Sequence, residues 1–129
     1  MKNLKTAVEE CMVSCEKKDG GEVLSRFVFA DDFIGFQGHF PGNKILPGIC
    51  QIQCVLSTVE QASGKRAELR EIVLAKFTAP VLPNDEMVCL CRTLDEGEAG
   101  LVIRASFTVS EKKIGEMKLK MRMRERNTP

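Results

Sequence analysis

The chain has no tryptophan, no tyrosine and only one histidine among its 129 residues. It also lacks any apolar run long enough to cross a membrane as a helix, which needs roughly 18 or more such residues. An excess of charge of one sign is missing too: 19 Lys and Arg stand against 18 Asp and Glu, a formal net charge of +1. So even a balance carries no global signal for nucleic acid. The opening MKNLKTAVEECM begins basic, but Glu9 and Glu10 interrupt any signal-peptide core. The expected location is therefore the cytoplasm. The six cysteines then read as thiols, not as a disulfide framework.

Metal is not indicated by the cysteines either. The pairs Cys11/Cys15, Cys50/Cys54 and Cys89/Cys91 all lack the two-residue gap of a zinc knuckle. Their spacings place each pair on one face of a helix or a strand, where small apolar thiols pack well.

What is present fits one domain, residues 1–129, with 43% hydrophobic and 29% charged residues and no internal repeat or linker. Residues 4–16 form a helix or a strand, and KKDGGE is a turn. EVLSRFVFA, residues 22–30, alternates as a strand does. A long loop rich in Gly and Pro follows, and then GICQIQCVLSTVEQAS, residues 48–63, with Ile49, Ile52, Val55, Leu56 and Val59 at helical spacing. Pro47 suits the start of that helix and Gly64 its end. With Glu60 its only charge, the helix is expected to be buried on most sides.

Everything after the helix reads as strands, at about 69–79, 86–94, 100–110 and 113–125, with SEKK as a tight hairpin. Leu101, Ile103, Ala105, Phe107 and Val109 share one face of their strand. In the last strand Met117, Leu119, Met121 and Met123 face one way, and Lys118, Lys120, Arg122 and Arg124 the other. One long buried helix and a run of antiparallel strands imply an α+β fold, a curved sheet wrapped around the helix.

His39 lies in FQGHFPGNKILPG, where Gly38, Pro41 and Gly42 permit an unusual, rigid backbone that leads straight into the helix. Most lone histidines are structural or surface groups. A helix start, however, offers unpaired N–H groups that can hold a developing negative charge. A base beside such a helix end can remove a proton next to a carbonyl.

This stretch resembles the signature of the β-hydroxyacyl-(acyl carrier protein) dehydratases of bacterial fatty acid synthesis, which are hot-dog fold enzymes. AKFTAPVLPNDEM is similar to the strand and turn of the same family, and the resemblance covers about residues 22–124. It implies a hot-dog fold assembled as a homodimer or a higher even-numbered oligomer. It also implies an acyl thioester substrate, on acyl carrier protein or coenzyme A, and neither metal nor organic cofactor. By that resemblance His39 is the catalytic base, and Gly48 is the glycine whose N–H polarises the thioester carbonyl. Phe36, Phe40 and Ile45 flank the base and are candidates for the pocket lining; their ordinary role is core packing.

The family's second catalytic group is a Glu or Asp fourteen residues after the histidine, offered by the partner subunit. Here that position is Gln53. Lys44 stands where many members have proline. Dehydration needs a base for the C2 proton and an acid for the departing C3 hydroxyl, and an amide has no acidic proton to give. Loss of a positioned acid costs on the order of 10²- to 10⁴-fold. Glu60, two turns on, and Asp31 and Asp32, before the loop, are the nearby carboxylates; for the two aspartates turn formation is the simpler role.

Three readings follow. The first is a dehydratase, slow or specialised, in which Gln53 orients a water or another acid substitutes. The second is a related thioester hydrolase or hydratase. The third is a non-catalytic acyl-binding protein that kept the pocket and lost the acid. The intact loop favours an enzyme. The basic face Lys118, Lys120, Arg122 and Arg124 is either a solvated face that discourages edge aggregation or a docking surface for an acidic carrier. With no aromatic side chains between these charges, nucleic acid is a weaker match.

Overall fold

The structure, a computed structural model, describes residues 3–36, 42 and 44–126. The N-terminal segment is both a helix and a strand: α1 (Leu4–Glu9) and β1 (Met12–Lys17). The Asn3 side chain caps α1 by accepting from the Thr6 N–H at 2.8 Å. β2 (Val23–Val28) follows the KKDGGE turn, and α2 (Gly48–Ser63) follows the long loop. β3 (Arg66–Phe77), β4 (Glu86–Gly97), β5 (Gly100–Val109) and β6 (Lys112–Arg124) complete the fold.

The bounds of α2 are those expected from its sequence. Pro47 is the N-cap, and Gly64 adopts φ 73°, returning its N–H to the Glu60 carbonyl. β3 begins and ends earlier than its alternation suggested, because Arg70 and Val73 are bulged against β6 and break the period-two pattern. Ser110 and Glu111 both take positive φ, the conformation of a two-residue hairpin whose twist matches its strands.

All six strands form one sheet in the order β1-β2-β4-β5-β6-β3, antiparallel throughout. Six strands at about 4.8 Å spacing span roughly 24 Å edge to edge. A helix is only about 10 Å across. Yet α2 reaches both edges of the sheet. The Cys15 thiol of β1 approaches the Thr58 carbonyl at 3.9 Å, and the Ala67 N–H of β3 donates to Glu60 Oε2 at 2.8 Å. The sheet therefore curves around the helix, which is the hot-dog arrangement.

The concave face supplies the core. Phe27, Met87, Cys89, Ile103, Phe107, Met117 and Leu119 are buried against Cys50, Cys54, Val55 and Val59 of α2. Ser25 and Thr58 pair within this layer. The Thr58 hydroxyl donates to the Cys54 carbonyl at 2.7 Å and accepts from Ser25 Oγ at 2.7 Å. Rings run from β2 toward the long loop: Phe27 stacks on Phe29, Phe29 meets Phe33, and Phe36 sets its edge on Phe33 at 5.6 Å.

The outer face of α2 departs from expectation. Ile49 is 65% exposed, and Ile52 and Leu56 are only partly covered. The helix thus carries two apolar faces, and the sheet of its own chain covers one of them. Among the described residues no helix is long and apolar enough to cross a membrane.

Candidate functional site

The N-terminus of α2 opens into a cleft of about 410 Å³. Two chain segments form its walls. Ile45, Pro47 and Gly48 come from the approach to the helix, and Phe77, Thr78 and Pro80 from the end of β3 and its exit. One backbone hydrogen bond joins the two walls, and a second fixes the exit of β3 to β6. The Leu46 N–H donates to the Val81 carbonyl at 2.9 Å, and the Thr78 N–H donates to the Ile114 carbonyl at 2.9 Å. Ile114 is free to receive it because β6 bulges there against Phe107 and Thr108 of β5.

Within α2 the first intrahelical donors are Cys50 and Gln51, both bonding to the Pro47 carbonyl. The N–H groups of Gly48 and Ile49 precede them and have no partner within the helix. These donors, with the helix dipole behind them, suit a carbonyl oxygen that gains negative charge. Gly48 lies close under the Phe77 ring: a Cβ on it would stand 2.8 Å from Cζ, so the ring would have to move.

Of the residues expected from sequence, Ile45 and Gly48 meet in this cleft. His39 and Phe40 lie outside the described residues. Phe36 is 4% exposed and sits in the core, edge-on to Phe33, rather than on the cleft wall. Gln53 is not brought to Gly48 within one chain. Five residues turn the helix by roughly 500°, which leaves Gln53 about 140° around the axis from Gly48. There its side-chain amide donates to Ser57 Oγ at 2.9 Å.

Two of the nearby carboxylates, Glu60 and Asp31, are committed elsewhere. Glu60 is 2% exposed at the far end of α2, held by Lys5 Nζ at 3.1 Å as well as by Ala67. Asp31 pairs with Lys44 Nζ at 2.8 Å, so the lysine found in place of proline ties the two ends of the long loop together. Both partners are exposed, and such a pair is worth at most about 1 kcal/mol.

On the convex face, two of the four basic side chains of β6 are neutralised by β3. Lys120 pairs with Glu71 at 3.5 Å and Arg124 with Glu68 at 3.0 Å. Lys118 and Arg122 remain unpaired among the described residues.

The cysteines are packing groups. Burial, then the neighbouring Cys11 thiol, pushes Cys50 up to about 11. Burial, then Cys89, also raises Cys54, and hydrogen bonding with Cys89 followed by burial raises Cys91. Thiols held protonated in this way are poor nucleophiles and poor metal ligands.

Sequence reasoning missed Phe77 and Gln51. Gln51 lines the cleft, is 3% exposed, and its Oε1 has no hydrogen-bond partner. Its signal was an amide within an apolar helical stripe. The amide that the family resemblance singles out is Gln53, two residues on.

Comparison with known proteins bears on the family and the fold. The family model described as ApeI dehydratase matches residues 15–118. A 3-hydroxyacyl-(acyl-carrier-protein) dehydratase FabZ from Wolbachia sp. subsp. Drosophila simulans is 30% identical over 113 residues, 81% of this chain and 77% of that enzyme. The enzyme of the same name from Ehrlichia chaffeensis is 30% identical over 82 residues, 60% of this chain, and the match spans only 56% of its own length. The solved dehydratase heterocomplex ApeI:P from Xenorhabdus doucetiae superposes with a TM-score of 0.71 at 21% identity, covering 85% of this chain and 95% of that one. At that identity the likeness is one of fold.

Proposed function

The chain belongs to the ApeI dehydratase family, and from that premise we propose that it removes water from 3-hydroxyacyl thioesters carried on acyl carrier protein or coenzyme A. The observation that carries this reading is the free helix start at Gly48, facing a cleft with apolar walls and directly following the FQGHFPGNKILP loop. The thioester carbonyl accepts from the Gly48 N–H, which stabilises the negative charge that appears when the C2 proton leaves. His39 takes that proton. The C2–C3 double bond then forms as the C3–O bond breaks.

Gln53 cannot protonate the departing hydroxyl, but its amide can hold a water. The proton returned to oxygen is therefore the one that His39 removed, passed directly or through that water. Because Gln53 points away from Gly48 in its own chain, it serves the cleft of a second copy. The exposed apolar residues Ile49, Ile72, Val73 and Phe77 support such a homodimer, with β3 pairing edge to edge.

The test is dehydration of a 3-hydroxyacyl carrier protein by the wild type, His39→Ala and Gln53→Glu. Wild-type turnover that disappears in His39→Ala is the expected result. Turnover by Gln53→Glu alone would mean that the site has lost its acid and performs a different task.

A further inference from the structure

We propose that Gln51 binds the substrate: its side-chain amide is a second hydrogen-bond donor to the thioester carbonyl, beside the backbone donors of the α2 N-terminus. This inference rests on the reading of the cleft as an acyl-thioester site and names a residue that reading did not use.

Three observations carry it. Gln51 is 3% exposed, yet its Oε1 is buried without a partner, and neither end of its carboxamide bonds to any described group. An unpartnered buried amide is costly, and leucine would fill the same volume without that cost. Next, one end of the carboxamide packs on β6: Oε1 lies 3.8 Å from where a Cβ on Gly115 would stand. Gln51 also lines the cleft, and in this proposal Nε2 is the end that meets the ligand there. Finally, Gln51 follows Gly48 by three residues, so the two are neighbours on one helix face, roughly 5–6 Å apart.

A carbonyl oxygen held at the Gly48 N–H is therefore within reach of Nε2. A neutral amide suits this position. It donates at every pH, and the apolar walls of Ile45, Phe77 and Pro80 strengthen its bond to a developing oxyanion by excluding water.

The experiment compares wild type with Gln51→Leu and Gln51→Met. Two ligands that cannot react are used: an acyl-pantetheine ketone, with methylene in place of sulfur, and the thioether, with methylene in place of the carbonyl. Both variants should lose roughly five- to tenfold in affinity for the ketone and nothing for the thioether. In turnover kcat should fall about 10²-fold with KM little changed, while the melting temperature stays level or rises.

Equal affinities for both ligands across all three proteins would overturn the proposal. So would a lower melting temperature or loss of the dimer in both variants, since the amide would then belong to the fold or to the interface. A wild type that shows the Gln51-dependent preference for the ketone but never dehydrates keeps this inference and refutes the dehydratase reading. A wild type that dehydrates, with fully active variants, does the reverse.

Discussion

The ring of Phe77, at the end of β3, lies over the α-carbon of Gly48, at the first turn of α2, so closely that a methyl group on Gly48 would stand 2.8 Å from Cζ. This contact makes position 48 sensitive in function more than in stability. The obstructing atoms are the far end of a side chain that is 46% exposed and able to swing away. Gly48→Ala should therefore shift stability by no more than about 1 kcal/mol. The displaced ring, however, enters the cleft beside the carbonyl donors, where a shift of about 1 Å can cost on the order of 10²-fold in rate. Urea melts and dehydration rates check this together. Gly48→Ala/Phe77→Ala should recover part of the loss, and an equally inactive double variant would place the fault in the new methyl group itself.

Much of this architecture was legible in the chain. Pro47 and Gly64 bracket α2 because one fixes an extended entry and the other accepts a left-handed exit. Strict alternation from Leu101 to Val109 and from Met117 to Met123 gave away the concave face. Other features were hidden for physical reasons. Periodicity finds an apolar stripe but not what covers it, so Ile49 read as core although it faces outward. Bulges at Arg70 and Val73 shift the pattern of β3 without any composition signal. The cleft depends on Phe77 and Gln51, which are brought to Gly48 only by tertiary packing.

The exposed edge of β3 should be where two copies join. Among the described residues β3 pairs only with β6, and its other edge presents twelve residues that include Ile72, Val73 and Phe77. A long apolar edge of this kind is a template for strand pairing. Sedimentation should show a dimer for the wild type and a monomer for Ile72→Lys, with activity lost in step because each cleft lacks the Gln53 offered by the other copy. A fully active monomer would sink both the edge pairing and the shared site.

Charge steering of a carrier protein, if it uses the convex face, rests on Lys118 and Arg122. Lys120 and Arg124 are already occupied by Glu71 and Glu68. Reversing Lys118 and Arg122 to Glu should lower kcat/KM several-fold for the carrier-bound substrate and leave the coenzyme A thioester unaffected. The difference should fade at high salt, where the screening length drops to about 3 Å. Unchanged kinetics at low salt would reduce the face to a solvated one.

The buried thiols predict an alkaline limit to stability. Cys50 ionises near 11 in the fold against 9.0 in the unfolded chain, chiefly because it is buried, and Cys54 and Cys91 shift the same way. Below pH 9 both states hold these protons, and the thiols add no pH dependence. Above it the unfolded chain releases protons that the folded chain keeps, so unfolding becomes more favourable, by up to about tenfold per pH unit for each such thiol. For Cys50 this loss accumulates until the folded thiol itself ionises near 11. The urea midpoint should therefore be level from pH 7 to 8.5 and fall steeply from 9 to 10.5. Cys50→Ala should be less stable throughout, through its cavity, but should show a shallower alkaline slope. A flat midpoint up to pH 10.5 would mean that these thiols ionise as readily inside the protein as outside it.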